Sequence, residues 1–266
     1  MINANHSDSL IGHQRALNFD DIFLASYPRS GNTWMRLLLS DLILQKHGFE
    51  TDTELPILAS QIIPGIYENN IRFDTRIQLS YRVVKTHWFY AYMNEVLARP
   101  SWMPKVIYLF RNPADVLCSF YHLELYEAER NSSGSKVNNL NSIEEFCLNK
   151  VDRWCKHLEG YIYAKESNRE QLLFISYENM HKNLISILKC VMAFIGFSID
   201  ETMAKKAILN HRFEKKKAQD PTFFRKGKIG SSKEELSSEV LALIEEKTTQ
   251  IYNMAKELEF SSPQKG

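Results

Sequence analysis

Residues 22–34 read Ile22-Phe23-Leu24-Ala25-Ser26-Tyr27-Pro28-Arg29-Ser30-Gly31-Asn32-Thr33-Trp34, and the structure this stretch adopts decides the fold. The run Ile22-Phe23-Leu24-Ala25 is short, apolar and uninterrupted, as a strand covered on both faces must be. Trp34, Leu37, Leu38, Asp41 and Leu42 then recur at helical spacing. Between strand and helix lies a turn with Gly31, the hydroxyls of Ser30 and Thr33, and the Arg29 cation. Such a turn is expected to aim backbone N–H groups at an anion on the positive end of the helix. The competing reading is a plain strand-to-helix turn, with Pro28 and Gly31 as punctuation and Ser30 or Thr33 as the cap. An ATP-binding P-loop is disfavoured, because it needs a second glycine and a Lys before its Ser or Thr, and neither is present.

The chain has 266 residues, and a single α/β domain spanning 1–266 is expected, with 1–19 as a loose polar arm. A formal net charge of +1 implies no nucleic-acid partner, so any basic site must be local. The first twenty residues lack a basic-then-apolar leader pattern. No later stretch approaches the roughly eighteen apolar residues of a membrane span. A cytoplasmic protein without a membrane span is therefore expected. Cys118, Cys147, Cys155 and Cys190 form no C-x-x-C pair, which suits buried reduced thiols. The eight histidines show no H-x-x-x-H spacing, so no metal is implied.

Beyond the first helix, residues 48–80 mix acidic, Pro and Gly punctuation with small apolar groups and are expected to form short helices and loops, a lid or substrate wall. Tyr81-Arg82-Val83-Val84 reads as a second strand that ends in Lys85-Thr86-His87. Ligands of open α/β sheets bind outside the carboxyl ends of the strands, so Lys85 and His87 are directed at the same crevice as the first turn. Val106-Ile107-Tyr108-Leu109-Phe110 is the clearest strand. It runs into Arg111-Asn112-Pro113, where Asn112 as N-cap and Pro113 at the first helical position start a helix. Ser119 lies about two turns into it. Residues 128–141 are rich in Ser, Asn and Gly and read as a surface loop. Ser142 and Glu145 open the next helix, to about Lys165, with a capping box. Gln171 to Ser176 reads as a further strand, followed by Tyr177-Glu178 and helices near 182–195 and 200–209. Between Arg212 and Lys228 a basic patch carries interleaved Phe213, Phe223 and Phe224 and ends at Arg225-Lys226-Gly227, a composition suited to a phosphate and a base. The last helix, about 233–258, is amphipathic.

Five of these segments together resemble the cytosolic-type sulfotransferase family. Tyr27 to Trp34 resembles its 5′-phosphosulfate loop, and Arg111 with Ser119 its 3′-phosphate site. Lys85-Thr86-His87 is similar to its catalytic K-T-H, Tyr177-Glu178-Asn179-Met180 to its Y-E-D-M, and Arg225-Lys226-Gly227-Lys228-Ile229-Gly230 to its R-K-G-x-x-G. The resemblance implies a P-loop-NTPase-like fold, a central parallel β-sheet with helices on both faces. It also implies the donor 3′-phosphoadenosine 5′-phosphosulfate, the product 3′-phosphoadenosine 5′-phosphate, and no metal. Carried over residue by residue, Arg29, Ser30, Gly31, Asn32 and Thr33 hold the 5′-phosphosulfate, and Arg111, Ser119, Arg225, Lys226 and Gly227 the 3′-phosphate. Trp34, Tyr177 and Phe213 hold the adenine.

Transfer to an alcohol or phenol needs a base, and His87, an imidazole near neutral pKa, fills that role. Lys85 and Arg29 neutralise charge growing on the transferred group and on the bridging oxygen. Three segments depart from the family pattern. Arg29 stands where the familiar loop has Lys, and with a pKa above ~12 it acts by charge and hydrogen bonds alone. Asn32 replaces a common hydroxyl residue, and Ser231-Ser232-Lys233 replaces D-W-K. The short dimer motif of many animal members is not evident, so no oligomeric state is assigned. Trp88, Phe89, Tyr90, Tyr92, Trp102, Phe120, Tyr121, Phe223 and Phe224 lie in or beside segments expected to ring the crevice, as either acceptor wall or core. The expected partner is a small hydroxyl-bearing molecule. Sulfation of a carbohydrate or peptide hydroxyl, a non-catalytic nucleotide-binding module and, more distantly, a nucleotide kinase are the alternatives.

Overall fold

The computed structural model describes residues 17, 20–51, 55–66, 82–97, 104–131, 142–212, 218 and 227–260. The strands are β1 (Ile22–Ser26), β2 (Val83–Thr86), β3 (Val106–Phe110) and β4 (Leu172–Ser176). They form one parallel sheet in the order β2-β1-β3-β4. Helices α1 (Asn32–Lys46), α2 (Leu55–Ile62), α3 (Tyr90–Leu97), α4 (Pro113–Asn131), α5 (Ile143–Ser167), α6 (Tyr177–Phe194), α7 (Glu201–Asn210) and α8 (Ser238–Glu257) connect and cover it.

Successive side chains of a strand point to opposite faces, and here each set enters a core. Phe23, Ala25, Tyr108, Phe110 and Phe174 pack with Leu117 of α4, Trp154 and Leu158 of α5 and Ile244 of α8. Ile22, Leu24, Ile107 and Leu109 pack on the other face with Leu38 and Leu42 of α1, Leu188 of α6 and Ala204 of α7. Double coverage explains why these strands are uninterrupted apolar runs. The expected α/β architecture with helices on both faces is therefore present.

The topology positions the site. From β1 the chain passes to β2 on one side and then crosses to β3 on the other, which puts the topological switch point at the carboxyl end of β1. The register pairs Ala25 with Thr86 and Ser26 with Leu109, so Ser26, His87 and Arg111 leave the sheet at one edge.

Several boundaries differ from the sequence expectations. The second strand extends through Lys85 and Thr86, because Lys85 N donates to Pro64 O and its carbonyl accepts from Ile66 N. Helix α6 begins at Tyr177 rather than near 182, since the Ser176 hydroxyl accepts from Asn179 N at 3.1 Å; a non-helical Asn183 kinks it. Helix α4 runs on to Asn131. The final segment divides into a 3-10 turn, Ser231–Glu234, and α8, whose start Ser237 caps by accepting from Val240 N. Helix α3 had no sequence signal. The Asn112 and Ser142 caps are where expected, accepting from Asp115 N at 3.2 Å and Glu145 N at 3.3 Å.

Candidate active site

Gly31 is the N-cap of α1, with φ 97° and no side-chain cap, so neither Ser30 nor Thr33 closes the helix start in the way of a plain capped turn. A Cβ on Gly31 would stand 2.8 Å from Tyr177 Cδ2, and its φ is one that L side chains rarely adopt. Arg29 shares the left-handed region, with φ 69°. The Ser30 hydroxyl is buried with no partner. A helix start without a side-chain cap beside an orphaned hydroxyl is what an anion would complete. Asn32 contributes differently from its neighbours. Its Nδ2 donates back to Leu24 O at 3.0 Å and to Ser26 Oγ at 3.2 Å, which leaves its main-chain N–H as the group that can serve the turn.

His87 is the first residue beyond β2. Its Nδ1 lies 2.8 Å from Ser26 O and 3.2 Å from Ser26 Oγ. A carbonyl only accepts, so Nδ1 carries the proton and Nε2 the lone pair. Burial, reinforced by the Lys85 charge, lowers the ring's pKa from 6.5 to about 3 despite the bond that Nδ1 donates to Ser26 O. The near-neutral imidazole expected from sequence is thus a deeply neutral one, because desolvation penalises the cation.

Arg111 leaves β3 at the same edge and is 6% exposed. Its Nη2 donates to Lys228 O at 2.8 Å, and its guanidinium lies 4.3 Å from the Tyr177 ring centroid. Its Nε is buried with no partner. Asp115, one turn along α4, accepts from Gly230 N at 2.6 Å and Ser232 N at 2.9 Å. The segment after Gly227, whose φ is 62°, is thereby tied to Arg111. Arg29 Nε donates to Ser119 Oγ at 3.0 Å, joining the first turn to α4. Trp34 and Tyr177 meet edge to face at 5.9 Å, and His181 lies 5.1 Å from the former ring and 4.6 Å from the latter. The structure therefore gathers Arg29, Ser30, Gly31, Trp34, Arg111, Ser119 and Tyr177. Phe213, Arg225 and Lys226 lie outside the described residues.

Of the aromatic candidates, Phe89 and Phe120 are half-buried and others are core; Tyr27, which packs against Phe120, is itself core. Tyr27 meets Phe120 at 5.9 Å and His157 at 5.5 Å, and Phe89 meets His157 at 5.0 Å. The Tyr27 hydroxyl is buried without a partner, and burial pushes its pKa up to about 12. Trp88 and Tyr90 are buried in the core. Trp102, Phe223 and Phe224 fall outside the described residues. Four residues were not expected from sequence: Ser26, Asp115, His157 and His181. His181 was within reach of a sequence reading, since it follows Tyr177 at the i+4 spacing of a shared helix face. Among the described residues no group of three His, Cys, Asp or Glu side chains is placed to hold a metal, and no described helix is long and apolar enough to cross a membrane.

Residues 19–256 match the sulfotransferase domain family. The flavonol 3-sulfotransferase of Flaveria bidentis is 27% identical over 85% of this chain and 80% of its own length. Cytosolic sulfotransferase 12 of Arabidopsis thaliana is 28% identical over 85% of this chain and 77% of its own. The crystal structure of mouse sulfotransferase SULT7A1 complexed with PAP superposes with a TM-score of 0.65 at 21% identity, covering 95% of this chain and 92% of that one, and so shares the fold. With residues 19–256 of the chain matched and Arg29 bonded to Ser119 and Arg111 stacked on Tyr177, the chain belongs to the sulfotransferase family.

Proposed function

We propose that this protein transfers a sulfuryl group from 3′-phosphoadenosine 5′-phosphosulfate to a hydroxyl of a small organic acceptor, an alcohol or phenol, with His87 as general base. One observation carries the reading: Nδ1 of His87 donates to Ser26 O at 2.8 Å, which makes Nε2 the basic nitrogen of the ring. Family membership supports the sulfuryl chemistry, and the PAP in the mouse structure supports the nucleotide. A cytoplasmic setting is supported by the relative named cytosolic.

The residues present fit such a nucleotide. The Ser30 hydroxyl and the start of α1 offer donors to a 5′-phosphate, and the orphaned Arg111 Nε, with Ser119 and Gly227, offers them to a 3′-phosphate. Trp34, Tyr177 and His181 supply ring faces and edges for a base, Arg225 and Lys226 complete the 3′-phosphate assignment by their motif positions, and Phe213 is assigned to the base by the family resemblance alone. When bound, the donor supplies an activated sulfuryl group and a bisphosphate leaving group. Nε2 of His87 takes the acceptor's proton as the new sulfur–oxygen bond forms, and the cations Lys85 and Arg29 offset negative charge near it. Positioning and charge stabilisation do most of the work in such in-line transfers. The half-buried rings of Phe89 and Phe120 favour a flat or apolar acceptor.

The test is donor-dependent sulfate transfer to a panel of phenols, alcohols and sugars by wild type and His87→Ala. Loss of roughly 10²- to 10⁴-fold in His87→Ala is expected, with binding of 3′-phosphoadenosine 5′-phosphate retained. Nucleotide binding without transfer to any acceptor by wild type points instead to a binding module, and turnover confined to sugars points to a carbohydrate acceptor.

A further inference from the structure

His87 stands one residue past the last ladder pair of β2, Ala25 with Thr86, and side chains bond the main chain around it. Trp88 N donates to Thr86 Oγ1 at 3.0 Å, Tyr161 Oη donates to Trp88 O at 2.8 Å, and His157 Nε2 lies 3.3 Å from His87 O. His157 and Tyr161 are at i and i+4 on α5 and so share a face of that helix. Both are essentially buried.

The chemistry of this chain of bonds is determined at each link. His87 O only accepts, so His157 carries its proton on Nε2. Its Nδ1 is then an acceptor, and the group 2.9 Å from it is the Tyr108 hydroxyl, which must donate. Tyr108 sits on β3 with its ring stacked on Tyr161 at 4.1 Å, so the donor comes from a rigid strand. A neutral histidine 1% exposed with both ring nitrogens engaged is more than apolar filling. A Phe or Leu would pack there without the cost of burying two polar atoms.

We propose that His157 is a positioning residue for the transfer reaction: set in one tautomer by Tyr108, it fixes the main chain of His87 and thereby where the basic nitrogen of His87 stands. This rests on His87 acting as the base. The base is then fixed twice, through its ring by Ser26 and through its carbonyl by His157. The alternative is that His157 only fills the core, and the two differ in what happens at His87 when the bonds are removed without emptying the space.

The experiment compares His157→Phe, His157→Gln and Tyr108→Phe with wild type in the full chain. The readouts are ¹⁵N-histidine NMR of the His87 ring, affinity for 3′-phosphoadenosine 5′-phosphate, and kcat and KM with a phenol that wild type turns over. Wild type should show His87 as a single Nδ1-protonated tautomer. His157→Phe should show that ring broadened or in mixed tautomers, with kcat down roughly 10- to 100-fold and nucleotide affinity and acceptor KM within about 3-fold of wild type. His157→Gln, whose amide donates and accepts at similar places, should recover most of both. If His157→Phe does not fold, Tyr108→Phe, which removes one oxygen, should move the His87 signals in the same direction. His87 signals identical to wild type in whichever of these variants folds overturn the proposal. Wild-type turnover in His87→Ala would overturn the base assignment instead, and the NMR comparison separates the two failures.

Discussion

His87 and His157 are both kept neutral by burial, with pKa lowered from 6.5 to about 3 and about 4. In the unfolded chain each titrates near 6.5, so below that pH the unfolded state binds protons that the fold refuses. Their contribution to stability is complete above about pH 6.5 and is lost as pH falls toward 4 and then 3, by at most about 1.4 kcal/mol per pH unit for each ring. Denaturant melts across pH 7.5 to about 4.5 should show this slope, and His157→Phe should flatten it; a wild-type stability flat over that range refutes the reading. The same depression predicts that kcat/KM has no inflection near the ordinary histidine value of about 6.5. Gly31 makes a second, steric prediction. Gly31→Ala puts a Cβ 2.8 Å from the Tyr177 ring at φ 97°, and Tyr177 has little room to give, with Arg111 over its face and Trp34 at its edge. A loss of about 1–3 kcal/mol in melts, with much weakened nucleotide binding, is expected.

Helix α4 joins the first turn to the segment after Gly227, through Ser119 on one side and Asp115 on the other. Its Asp115 carboxylate receives the main-chain N–H groups of Gly230 and Ser232, while Arg111 just before it donates to Lys228 O. Asp115→Ala leaves those N–H groups without their acceptor and should loosen the segment that carries Gly227. Calorimetry should show weaker binding of 3′-phosphoadenosine 5′-phosphate with little change for its analogue lacking the 3′-phosphate; equal weakening of both would place Asp115 outside this role. The cap of α8 is a separate matter of stability. Ser237 accepts from Val240 N, and Ser237→Ala should cost about 1 kcal/mol while leaving the site untouched.

The molecule as a whole should be steadied by its nucleotide, because a ligand that binds only the folded state stabilises it by mass action, about 2.7 kcal/mol at one hundred times Kd. Thermal melts should rise more with 3′-phosphoadenosine 5′-phosphate than with adenosine 5′-phosphate, and Arg111→Ala should shrink that difference; an undiminished difference would remove Arg111 from the 3′-phosphate contact. Much of this architecture was legible in the chain. Ile22 to Ala25, Val106 to Phe110 and Leu172 to Ser176 are apolar runs because both sheet faces are covered, and Arg29 to Trp34, Lys85, His87, Arg111, Ser119 and Tyr177 stand in segments whose types and order point to one anion-binding crevice. What the chain did not disclose depends on partners far away in sequence. Ser26 meets His87 across 61 residues, and His157 reaches His87 across 70 and Tyr108 across 49. His157 lies in the stripe Trp154, His157, Leu158, Tyr161, which by spacing reads as plain core. The sequence by itself determined the strands, most of the helices and the family, since these follow from local periodicity, turn chemistry and motif order. Only the tertiary structure decided that the Asn32 amide turns back to β1, that His87 carries its proton on Nδ1, and that its ring is held far below the usual histidine range. Hydrogen-bond direction and desolvation are set by what the folded chain packs around a side chain.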